Sequence, residues 1–221
     1  TGNLHQAAGQ YAEAEQSLQE SLRLAKTLPQ AALTAAILND LGNSAASQGK
    51  FAAALAAYTE SFQTAQAVPA KLLAATSQVN AARVLLSSKQ YGESKTRLDQ
   101  AAGILRELEP SHEQISAFIT VGLTYAKLRA FLVELNADLT LAAFQALHDA
   151  AKAADQLGDR RASSFAWGHM GKLYEDEHRY SEALDVTQHA ILMSRQAAAP
   201  EALYRWQWQA GRLLKGLGRP K

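Results

Sequence analysis

A small residue returns along this chain at Gly2, Gly42, Ala82, Gly122, Gly171 and Gly211, at intervals of 40, 40, 40, 49 and 40 residues. Repetition at this period marks a solenoid, in which each unit is too small to bury its own apolar face and is stabilised by stacking on its neighbours. Ala, Leu, Gln and Glu fill the intervals and no stretch alternates with the period of a strand, so the units are predicted to be helical. Function is then expected on the surface of the array and not in a buried catalytic pocket.

The clearest unit sets Trp167, Met170, Gly171 and Tyr174 on one predicted helix and Tyr180, Ala183 and Ala190 on the next. It resembles the tetratricopeptide repeat, whose W-x-x-L-G-x-x-Y pattern is followed by a small residue in the second helix. Gly171 and Ala183 would let two antiparallel helices approach closely, while the aromatic side chains fill the space around that contact. Leu38, Leu41, Gly42, Phe51, Ala54 and Tyr58 repeat the pattern, as do Ala82, Leu85, Tyr91 and Leu98. Gln78 stands at a tryptophan position and Thr187 at a second-helix aromatic position.

The resemblance implies an all-α fold, a right-handed α-α superhelix of antiparallel helix hairpins, here with a period of 40 residues where about 34 is usual. Turns are expected at Gly9-Gln10-Tyr11 and Gly49-Lys50-Phe51, and the extra residues are expected around Pro29, Pro69, Pro110 and Pro200, after the second helices. Residues 1–221 read as one array, with repeats at about 1–29, 30–69, 70–110, 111–158, 159–200 and 201–221. Both ends fall inside a repeat, so the chain reads as a piece of a longer protein. The last helix is expected to leave Trp206, Leu213, Leu214 and Leu217 uncovered, a surface that would also support a dimer.

The 49-residue interval adds nine residues between Tyr125 and Ala143. Apolar residues at 128, 131, 132, 135 and 139 are spaced as on one helical face, which predicts a hairpin projecting about one turn past its neighbours. Asn136 or Asp138 would form the tip, with Asp138 as N-cap. Phe131, Leu132 and Leu135 would form a docking knob, or else pack on the adjacent hairpin.

In tetratricopeptide arrays the first helices line the concave surface. By that resemblance the candidate peptide groove carries Asn39, Asn43, Asn80 and Arg83 early, near Asn3 and Asp40, and Lys172, Arg205, Trp208 and Arg212 late, near Gln209 and Lys215. Asparagine amides suit an extended backbone, and Arg with Trp suits carboxylates and apolar side chains. The alternatives are solvated or helix-capping amides and a solvated basic face. The asparagines resemble those of domains that clamp acidic chaperone tails, but Asn39 stands where that clamp has lysine, and Ser116 and Thr120 replace its later basic pair.

With 22 basic and 21 acidic residues the net charge is +1, so electrostatics offer no case for a nucleic acid partner. No apolar run approaches the roughly 20 residues a membrane span requires. The chain has no cysteine, and its six histidines lack metal-ligand spacing and read as surface residues. No cofactor, metal or catalytic residue is predicted.

The run from Gly158 through Trp167-Gly168-His169-Met170-Gly171-Lys172 to Arg205-Trp206-Gln207-Trp208-Gln209-Ala210-Gly211-Arg212 resembles the array that precedes the caspase-like CHAT domain in many bacterial proteins. That resemblance implies a recognition or regulatory arm, with no catalytic residue in this chain. The expected function is therefore a non-catalytic module binding a peptide or protein segment. A scaffold that self-associates or packs on its own C-terminal domain is the alternative.

Overall fold

The computed structural model describes residues 11–219, and among these there are ten α-helices and no strand. Gly2, Asn3 and the Gly9-Gln10 part of the first expected turn lie outside the described residues. The chain divides into two compact units between Leu108 and Glu109.

The first unit stacks α1 (Tyr11–Ala25), α2 (Ala31–Ser47), α3 (Phe51–Gln66), α4 (Lys71–Ser87) and α5 (Tyr91–Arg106), each packed on the next. The second stacks α6 (His112–Leu128), α7 (Asn136–Leu157), α8 (Arg160–Asp176), α9 (Tyr180–Gln196) and α10 (Pro200–Gly216) in the same way. First helices also meet across repeats, α2 with α4, and α6 with α8 with α10. This stacking buries Leu85, Leu98 and Leu105 in one unit and Phe118, Leu147, Met170 and Leu213 in the other. Each such side chain contributes about 1.5–3 kcal/mol by leaving water.

At Gly42, Gly122 and Gly171 the recurring small residue is where the two helices of a hairpin touch. A β-carbon at Gly171 would lie 2.4 Å from Thr187 Oγ1 and 3.3 Å from the carbonyl of Ala183, and one at Gly122 would meet Leu147. The turns recur in the same register. Gly49, Lys89 and His178 each take positive φ between the arms of a hairpin, where the chain must reverse, and Gly218 takes positive φ after α10. In the long repeat the equivalent residue, Arg129, stays right-handed at φ −52°.

The chain therefore does not reverse at residue 129, and the insertion departs from the single helical face expected of it. Leu128 and Leu139 are buried, but a turn and a 3₁₀ segment at Val133–Leu135 interrupt the helix between them. The added length goes into that connection and into α7, which has 22 residues where α9 has 17. Asp138 lies inside the first turn of α7 and does not cap it. Among the described residues, the side-chain caps are Ser111 on α6, accepting from the Gln114 N–H, and Asp159 on α8, accepting from the Ala162 N–H.

The final helix also differs from expectation. Trp206 and Leu213 are fully buried against α8 and α9, and Leu214 and Leu217 are half-buried beside Tyr174 and Tyr180. Preceding helices cover this part of α10.

Candidate functional site

The late groove residues come together. Lys172 on α8 and Arg205, Trp208 and Arg212 on α10 line one open cleft of about 490 Å³, with His169 and Tyr204. Their spacing explains this, because residues 205, 208 and 212 recur at helical intervals on one face of α10, beside the face of α8 that carries 169 and 172.

Charge in the cleft is mostly committed. Arg212 grips Glu175 with two hydrogen bonds of 2.8 Å, and Lys172 pairs with Asp176. Arg212 thereby holds the Glu175 carboxyl below its ordinary range. Glu201 is taken by Arg161. Among the described residues Arg205 alone of the cleft's cations has no acidic partner, and its guanidinium instead lies 5.6 Å from the ring centres of Phe165 and Trp206. Trp208 and Tyr204 stand 64% and 71% exposed beside it.

His169 is not the surface histidine expected from the sequence. It sits half-buried with its ring 5.3 Å from that of Trp206, and burial, aided by Arg205, pushes it down to about 4. It is therefore neutral at pH 7 and offers the cleft one donor and one acceptor.

The early candidates are engaged within the fold. Asn80 donates to Asn39 Oδ1 across adjacent repeats at 3.1 Å, and Asn39 is buried. Asn43 accepts from the Tyr58 hydroxyl at 2.8 Å, a phenol that burial pushes up to about 12 and so keeps protonated. These amides tie helices together and do not form a free polar stripe; Arg83 is exposed near them. Gln78, at its tryptophan position, is likewise buried and bonded to Gln100 and Arg97.

At the insertion, Phe131 and Leu135 are exposed and Leu132 is half-buried. Val133, 72% exposed and absent from the predicted knob, belongs to the same segment.

Residues 2–67 match the family model described as tetratricopeptide repeat. Among solved structures, BtubC (BKLC) from P. vanneervenii aligns with a TM-score of 0.78 at 18% identity, over 96% of this chain and 84% of that one. The fold is that of a tetratricopeptide repeat array. The tetratricopeptide-like repeats of a Podosopora anserina putative kinesin light chain align at 0.65 and 14% identity, covering 89% and 92%. YrrB, described as a tetratricopeptide protein with an unusual peptide-binding site, aligns at 0.51 and 18%, covering 83% and 77%. No curated protein matches this chain in sequence. Among the described residues of the array, no helix is long and apolar enough to cross a membrane, and no group of three His, Cys, Asp or Glu could hold a metal ion.

Proposed function

We propose that this chain is a non-catalytic protein-interaction module that holds an extended peptide or protein segment in the cleft between α8 and α10. The observation that carries this reading is Arg205, a cation without an acidic partner among the described residues, held near aromatic rings beside the exposed Trp208. A guanidinium in that setting favours a ligand carboxylate, and the neighbouring indole favours an apolar or aromatic side chain. The fold supports the reading, and YrrB shows a tetratricopeptide protein described as binding peptide. The resemblance of residues 158–212 to arrays preceding CHAT domains supports placing this module as the recognition arm of a larger bacterial protein.

Peptides selected from a random library on the intact chain test the assignment by calorimetry. Arg205→Ala and Trp208→Ala are each expected to weaken binding about tenfold or more. Unchanged affinity in both variants would remove the cleft from the mechanism.

A further inference from the structure

A second cleft, of about 550 Å³, lies between α7 and α8 and shares no residue with the first. Its wall is made by His148, Lys152, Asp155 and Gln156 on α7 and by Trp167 on α8. The spacing 148, 152, 155 and 156 is that of one helical face, so these polar groups point the same way.

Trp167 is the informative member. Its indole N–H is buried and has no hydrogen-bond partner among the described residues, although the ring packs edge-on against His189 at 4.7 Å. Trp206 makes the contrast, since its N–H donates to Ser164 Oγ at 2.9 Å. A buried donor without an acceptor is uncommon in a folded protein, and this one lines an open cleft. Lys152 also makes no ion pair among the described residues, while Asp155 accepts from Ser163 and keeps further lone pairs.

The groups on this wall balance. Lys152 opposes Asp155 in charge, Gln156 both donates and accepts, and Trp167 only donates. A small anion would find the lysine but would also face the aspartate. An extended peptide main chain presents carbonyls and N–H groups in alternation and meets both kinds of partner. The geometry points to a second peptide-docking site on this face, where a ligand carbonyl accepts from Trp167 Nε1 and a ligand N–H donates to Asp155. It is separate from the α8–α10 cleft and does not depend on it.

The three tryptophans make the test direct, because each indole N–H gives its own signal in ¹⁵N-resolved NMR of the intact chain. The probe is the capped, uncharged peptide acetyl-Ala-Ala-Ala-amide, with sodium acetate as the anion arm. The expected result is a saturable shift of the Trp167 signal with the peptide, with Trp208 still. Lys152→Gln and Asp155→Asn, both at exposed positions, should each weaken that response, with about fivefold loss for Asp155→Asn. A Trp167 signal that stays fixed at millimolar peptide would overturn the proposal. So would a response to acetate as strong as that to peptide, which would make the cleft an anion site, or a response unchanged by either substitution.

Discussion

Gly168 and Trp206 meet so closely that a β-carbon on residue 168 would lie 2.3 Å from the indole ring. This contact joins α8 to α10 directly beneath the proposed peptide cleft. Trp206 is 1% exposed and anchored by its bond to Ser164, which is itself paired with Ser194, so the ring has little freedom to yield. Gly168→Ala should therefore destabilise the second unit by about 1–3 kcal/mol through overpacking. Chemical denaturation followed by Trp fluorescence would measure it.

Gly211 supplies the matching control. It occupies the same place in the repeat as Gly171, yet a β-carbon there meets nothing within 4 Å. Gly211→Ala should stabilise α10 by about 0.5–1 kcal/mol, the usual gain for replacing glycine inside a helix. A rise in the denaturation midpoint is the expected reading.

Removing the hydroxyl of Ser164 strips Trp206 Nε1 of its acceptor in a fully buried place. Ser164→Ala is expected to cost about 1–3 kcal/mol, while Ser116→Ala, at an exposed position on α6, should stay within about 0.5 kcal/mol of the parent. Thermal melts of the two variants side by side would separate them.

Burial near Trp206, with repulsion from Arg205, holds His169 at about 4, below the ordinary value of about 6.5. The folded chain then binds this proton less readily than the unfolded chain. Its contribution to stability is whole above about pH 6.5 and is lost progressively as pH falls toward about 4. Urea midpoints across that window should drop in the parent and drop less in His169→Gln. Glu175, held low by Arg212, acts in the same direction but only further into the acid range, below the ordinary carboxylate value.

Much of the fold was legible because the repeat's defining contacts are local. Gly171 meets Thr187 within its own hairpin, and Gly42 meets Tyr58, so a pattern spanning two helices carries the information. That Arg205, Trp208 and Arg212 would line one cleft was legible for the same reason, since they share one helical face. The early half was not. Asn39 and Asn80 lie 41 residues apart and satisfy each other across repeats, which no local pattern reveals. The burial of Trp206 is not legible in its own helix because its cover comes from α8 and α9, which precede it, and not from a helix that follows. The insertion was misread because apolar spacing continues through residues 128–139 while the backbone does not stay helical. The caps at Ser111 and Asp159 carried a signal that was available, a Ser or Asp immediately before a helical run.

Photo-crosslinking of a library-selected peptide, followed by mass spectrometry, would show whether the ligand lies against α8 and α10. A photoreactive group on the peptide should give adducts at Tyr204, Trp208 and neighbouring residues of that cleft, lost with Arg205→Ala. Adducts concentrated instead around Asn43 and Arg83, or unaffected by Arg205→Ala, would rule out binding in the α8–α10 cleft.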